Sequence, residues 1–448
     1  MNTPIVDFVK TYAQSDKARF HMPGHKGVSF FGPESLDITE IKGADEMYVP
    51  EGIILESERN AASLFGTSRT LYSAGGSTQS IQAMLFLAYL RADKCNAKPY
   101  IFAGRNAHKS LIYAAAKLDF DVKWLYPDGD NGICRCIVTA NMLEEALIGC
   151  EEKPFAVYIT NPDYLGGMAD IESLSRVCKA YGVPLLVDNA HGAYLAFCSR
   201  NQHPINLGAD MCCDSAHKTL PVLTGGGYLH ISKDDSFGFS ADAVRAMALF
   251  GSTSPSYLIM QSLDLCNRYM SERICADVND CGIRTEGVRE VMKRKGICDI
   301  SCEPLKIAAD FRFLRIKGYN DTGDYFRDYD IEPEYVDGDF VVFMISPFNS
   351  ERDFKRLEAA FENINLIKKS HQSIGFVKSE QITSIRQAIM SMSEEISVAD
   401  AVGRICAAPT VSCPPAIPIA LSGEKITQAH IELFGHYGIE KISVVRQD

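Results

Sequence analysis

Short apolar runs alternate with longer stretches of helical hydrophobic spacing over roughly residues 50 to 270. Phe155–Thr160, Pro184–Val187, Met211–Cys213 and Gly227–Ile231 are brief, β-prone and bounded by turn formers, as strands buried on both faces are. Thr70–Ser73, Tyr100–Phe102 and Val122–Leu125 read as further strands. Glu56–Phe65, Ser80–Tyr89, Ser110–Leu118 and Ile171–Tyr181 carry apolar positions at helical spacing. The alternation predicts an α/β fold whose mostly parallel or mixed sheet is covered by helices. Ligands of such sheets bind beyond the carboxyl ends of the strands. A second α/β region follows, with helices at Ser271–Arg294, Ser350–Asn363 and Gln381–Ile389 and strands at Leu305–Phe311, Phe340–Ile345 and Ile439–Val445. The prolines of Pro409–Ser422 forbid one continuous helix there. Ahead of both regions, Phe20–Gly27 is dense in turn formers, which suits an arm lying across another domain or subunit, or an exposed loop. The expected division is an arm at 1–45, a large domain at 46–270 and a smaller C-terminal α/β region at 271–448.

Composition narrows the class. The chain has 448 residues, 46% hydrophobic and 23% charged, which suits a globular protein with a large core. A net charge of −12 argues against nucleic acid as a partner, and Lys293–Arg294–Lys295 reads as a solvated helix end. No apolar run is long enough to cross a bilayer, and the polar N-terminus lacks the core of a secretion signal. The 15 cysteines are scattered, so buried free thiols in the cytoplasm are expected rather than a disulfide framework. Cys134 and Cys136 lack a second metal-binding pair, and Cys212–Cys213 reads as strand core, so no metal is expected.

Four segments carry chemistry. Gly75–Gly76–Ser77–Thr78 follows a strand and opens a helix, where exposed amides and two hydroxyls suit a phosphate. The segment is not a nucleotide P-loop, and an ordinary N-cap is the plain alternative. Asp188 ends an apolar strand, where a buried carboxylate needs a proton-donating or positive partner such as a protonated pyridine nitrogen. A metal ligand or helix cap is equally compatible with it. His191 suits a planar ring or a core site. Lys218, in Asp214–Ser215–Ala216–His217–Lys218, has an amine that can form an imine with an aldehyde. Its place between an apolar strand and the Gly225–Gly227 turn suggests an enclosed amine, although a lysine is ordinarily a solvated surface charge. His108 suits stacking on an aromatic ring or helix capping. Together these residues match the parts of pyridoxal 5′-phosphate (PLP): phosphate, ring face, ring nitrogen and aldehyde.

The motifs HMPGHKG (21–27), FGTSRTLYSAGGSTQS (65–80), GRNAHKS (104–110), NPDYLGG (161–167), VDNAHGA (187–193) and SAHK (215–218) occur in the order of the Orn/Lys/Arg decarboxylase family, which the chain resembles over nearly its whole length. It is most similar to the short bacterial members. The resemblance implies the aspartate aminotransferase fold (PLP fold type I), with a large mixed-sheet domain and a smaller C-terminal domain. It implies PLP on Lys218, Asp188 at the pyridine nitrogen, and His108 stacked on the ring. It places Ser77, Thr78, Ser215 and His217 at the phosphate and His191 near the reacting carbon. The implied reaction is decarboxylation of arginine, lysine or ornithine by a homodimer or larger assembly. Transamination, another lyase step, or PLP binding without turnover stand as alternatives. Asp45, Glu46 and Glu303 are possible partners for the distal cation of the substrate. Asp163 stands where related sequences commonly carry Thr.

Overall fold

The seven apolar strands of the first region form one sheet in the order β1-β7-β6-β5-β4-β2-β3. They are β1 Arg69–Ser73, β2 Tyr100–Gly104, β3 Asp121–Leu125, β4 Ala156–Thr160, β5 Leu185–Asp188, β6 Met211–Asp214 and β7 Gly227–Ile231. The computed structural model describes residues 1–93, 98–127, 132–371, 375–411 and 416–447. Helices α1 Pro4–Ala13, α2 Ile53–Phe65, α3 Gly76–Tyr89, α4 Lys109–Leu118, α5 Ala140–Ile148, α6 Ile171–Tyr181, α7 Ala216–Thr219, α8 Ala243–Phe250, α9 Tyr257–Glu272 and α10 Ile274–Arg294 follow in chain order. The expected alternation of strand and helix is therefore present. The sheet is mixed: β5 and β6 are parallel, as are β2 and β3, while β7 is antiparallel to both β6 and β1.

The chain divides into two compact units: Met1–Ala92, Phe155–Val157 and Ile171–Asp277 make one, and Asp93–Pro154, Tyr158–Asp170 and Val278–Asp448 the other. In the first, the middle strands are buried end to end: β5, β6 and β7 have no exposed position. Gly66, at φ +71°, ends α2 in the left-handed conformation that glycine adopts without strain. Gly76, at φ +65°, turns the chain from β1 into α3.

In the second unit, Cys298–Asp299, Lys306–Asp310, Phe340–Met344 and Tyr335–Val336 form an antiparallel four-stranded sheet. Its core gathers Ile133, Leu165, Val342, Ile419, Phe434 and Val444. The helix expected at Gln381–Ile389 begins only at Ile385, because the Ser384 hydroxyl and Gln387 side chain form a capping box while Gln381 bridges Glu424. The proline-rich connector carries short strands at Thr410–Val411 and Pro418–Ala420, and its residues 412–415 lie outside those described. No helix among the described residues is long and apolar enough to cross a membrane. All 13 described cysteines are free thiols, and most are buried.

Candidate active site

Strand register assembles the site in the first unit. Ser73 at the end of β1 pairs with Gly227 at the start of β7, Tyr228 pairs with Asp214, and Cys213 pairs with Asp188. Since β1, β5 and β6 run in the same direction, their carboxyl ends share one edge of the sheet. The segments Gly75–Thr78, Asp188–Gly192 and Asp214–Lys218 leave from that edge.

The glycine turn is held from beneath. Gly76 N donates to Gly225 O at 2.7 Å, and the Ser73 hydroxyl donates to Gly76 O at 2.8 Å. A Cβ added at Gly227 would stand 2.8 Å from Asp214 O, 3.2 Å from Gly76 C and 3.4 Å from Ser77 N. Only a glycine allows β7 to approach the turn so closely. Ser215 Oγ donates to Ser77 Oγ at 2.8 Å, which brings two of the predicted phosphate hydroxyls together at the start of α3. Thr78 lies exposed in the first turn of that helix. His217 donates through Nδ1 to Gly226 O at 2.9 Å. Burial, together with the adjacent Lys218 charge, holds its imidazolium below the usual range.

Asp188 is buried, and its Oδ1 accepts from Ala190 N at 3.2 Å and from Cys213 Sγ at 3.6 Å. Lys218 Nζ lies 2.9 Å from Nε2 of the buried His191. Lys218 itself is exposed, which corrects the enclosed setting suggested by its sequence context. On the single turn of α7, Ala216 and Leu220 face inward at helical spacing, so position 218 falls on the outer side. His108 belongs to the second unit. There it is the N-cap of α4, with Nδ1 accepting from Ser110 N at 3.1 Å, so the capping alternative is realised.

Two of the three acidic residues considered for the distal cation, Asp45 and Glu303, have other partners. Asp45 accepts the backbone N–H groups of Glu46, Glu51, Gly52 and Ile54 at 2.8–3.0 Å. Burial opposes its ionisation, but those amides outweigh it and hold the carboxyl below its ordinary range. Glu303 is buried against Lys306 in an ion pair. Glu46 is exposed.

Sequence reasoning missed a buried cluster behind the site. Asp214 Oδ2 accepts from Nε2 of both His203 and His230 at 3.1 Å, and Oδ1 accepts from Asn189 Nδ2 at 2.6 Å. All four residues are fully buried. With Cys212, the histidines and Asp214 place four donor atoms within 4.8 Å of one another. Burial opposes ionisation of Asp214, but the two imidazoles outweigh it and keep the carboxyl well below its usual range. Asp214 and Asn189 each adjoin a predicted residue, which was the available signal. His203 and His230 give none, because only the β6–β7 pairing and the Pro204–Leu207 turn bring them in.

These residues fit PLP. Two hydroxyls and a helix N-terminus suit its phosphate, a buried carboxylate suits its protonated ring nitrogen, and an accessible amine suits its aldehyde. Fold and site together define a fold-type I PLP-dependent enzyme. Residues 3–347 match the Orn/Lys/Arg decarboxylase major domain, and the chain belongs to that family of PLP-dependent decarboxylases. It is 28% identical to the uncharacterized protein YaaO of Bacillus subtilis, over 96% of this chain and 93% of that one. It is also 28% identical to an arginine decarboxylase of B. subtilis, over 96% and 92% respectively. The constitutive lysine decarboxylase of E. coli has the same fold, with a TM-score of 0.78 at 18% identity, over 99% of this chain and 82% of that one.

Proposed function

We propose that the chain decarboxylates arginine to agmatine and CO₂, acting as a homodimer in the cytoplasm. The family carries the reaction, removal of the α-carboxylate from a cationic amino acid. Arginine is favoured because four relatives that are 27–28% identical over 94–96% of this chain are named arginine decarboxylases. The supporting observation at the site is the Lys218–His191 pair standing at the strand edge that also carries Asp188 and the Ser77–Ser215 pair. Bound PLP supplies an electron sink for the pair left on the α-carbon as CO₂ departs. Asp188 keeps a proton on the ring nitrogen, which strengthens that sink. Ser77, Thr78, Ser215 and the amides opening α3 bind the phosphate, and His217 assists from beside the turn. Lys218 holds the cofactor between turnovers. His191 Nε2 holds or accepts a proton at Lys218 Nζ, so that the amine is available as a nucleophile. These residues fall within the large domain proposed at 46–270, between the arm at 1–45 and the C-terminal region at 271–448.

The test is a visible spectrum of purified protein, followed by product mass spectrometry with arginine, lysine and ornithine. The expected results are a visible absorbance band that Lys218→Ala abolishes, and agmatine as the dominant product. A band that survives in Lys218→Ala overturns the lysine assignment. A keto acid product overturns decarboxylation, and preferred turnover of lysine or ornithine overturns the substrate.

A further inference from the structure

Two turns of the first unit are cross-linked twice. At the site, His191 meets Lys218 at 2.9 Å. Behind the site, Asn189 Nδ2 donates to Asp214 Oδ1 at 2.6 Å. The same two turns, 188–192 and 214–218, supply both contacts. Asn189 N also donates to Cys213 O at 3.0 Å, continuing the β5–β6 ladder to the point where the chains leave the sheet. We propose that Asp214 is a positioning residue, a buried carboxylate clamped by Asn189, His203 and His230 that sets the separation of Lys218 from Asp188 and His191. The proposal rests on the roles given above to Lys218 and Asp188.

The clamp is braced at His230, at both imidazole faces and at Gly192. His230 Nδ1 pairs with Thr70 Oγ1 at 2.8 Å, and Thr70 Oγ1 lies 2.8 Å from Thr67 Oγ1, so the imidazole is fixed by β1 as well as by β6. Phe65 packs on both imidazoles, with ring centroids 5.3 Å from His203 and 4.5 Å from His230. Gly192 lies so close to the Asn189 side-chain oxygen Oδ1 that any side chain at 192 would displace the amide group. Three hydrogen bonds from donors held in this way satisfy Asp214 without an ion. The N···O separations of 3.1 Å are ordinary hydrogen-bond lengths. A buried carboxylate with several fixed donors is costly to disturb, because removing its charge leaves those donors facing a group that no longer accepts them all.

The consequence for the site is geometric and electrostatic. Asp214 begins the segment that ends at Lys218, so a change in its seating moves the amine relative to His191. Asp214→Asn keeps the shape but removes the negative charge that both imidazoles face, and Asn189 then meets the new amide group only by turning its own amide over. The exchanged double variant Asn189→Asp/Asp214→Asn returns a carboxylate to the cluster, which accepts from the amide at 214 while the oxygen of that amide faces the imidazoles.

The test uses the purified PLP-loaded enzyme. Asp214→Asn is expected to move the pH midpoint of the visible band by about one unit or more. It is expected to lower kcat about 100-fold, with KM changed far less. The double variant is expected to recover most of both, and Asn189→Ala, which leaves the carboxylate and both imidazoles intact, to shift both in the same direction by less. Asn189→Ala also carries the test if Asp214→Asn does not fold. Presence of the band in the parent and its loss in Lys218→Ala test the site reading separately. Wild-type midpoint and kcat in Asn189→Ala or Asp214→Asn overturn the clamp, as does a double variant no better than the single. A fall in thermal stability with an unmoved midpoint assigns the cluster a purely structural role and overturns it too. Stoichiometric metal in the parent, lost in Cys212→Ala, would make the cluster a metal site instead.

Discussion

Asp163 shows what burial does to a single carboxyl in this chain. It is 0% exposed, and Oδ1 accepts from Leu165 N at 3.0 Å and Gly167 N at 2.7 Å. Its Oδ2 has no hydrogen-bond partner among the described residues. Burial pushes its pKa from 3.8 up to about 7; the Gly167 amide, Arg135 and Lys306 oppose the rise, and Glu303 adds to it. The folded state therefore holds this proton more tightly than the unfolded chain does. The stability it contributes is fully present below about pH 4 and is lost as pH rises through about 7. Asp163→Asn removes that loss, and we expect it to stabilise the protein by about 1–3 kcal/mol at pH 8, with the gain vanishing near pH 4. Paired thermal melts across pH check this, and a gain independent of pH would contradict it. The departure from Thr at 163 was legible in the sequence, but its cost was not, because burial is a tertiary property. The same holds for Lys218: residue type and order pointed to it, whereas its exposure depends on which side of α7 meets the core.

At the scale of elements, α1 is tied down by a side chain from far along the chain. Asp264 on α9 accepts from Ile5 N and Val6 N at 3.0 Å, and from Ser57 Oγ at 2.5 Å. The N-cap Thr3 makes no side-chain cap bond, so Asp264 satisfies amides that the local sequence leaves open. Asp264→Ala is expected to cost about 2–3 kcal/mol. Hydrogen exchange at Ile5 and Val6 should rise ahead of global unfolding, and unchanged protection there would refute the tie. Element boundaries were legible where the local signal was complete. The predicted ranges of α6 and β7 are those observed, because apolar spacing and flanking turn residues agree there. They were misplaced where a cap decides: α3 begins at Gly76 rather than Ser80, since the glycine turn is itself the first turn of the helix.

For the whole molecule, the acidic net charge of −12 keeps like copies apart at long range, yet the arm presents a surface that water solvates poorly. Phe20, Phe30 and Phe31 are 95%, 97% and 88% exposed in the single chain. A cluster of large apolar side chains in one segment marks an association surface, in keeping with the proposed homodimer. Sedimentation should give twice the chain mass of 49.4 kDa, and replacing Phe30 and Phe31 by Asp should shift it toward one chain mass. A monomer at working concentration would contradict this. The sequence by itself determined the α/β class and the cofactor, because those depend on residue type, order and local periodicity. The tertiary structure alone decided which strand ends share an edge, that His203 and His230 converge on Asp214, and that Lys218 faces outward. Those outcomes follow from register and burial, which join residues that no local pattern connects.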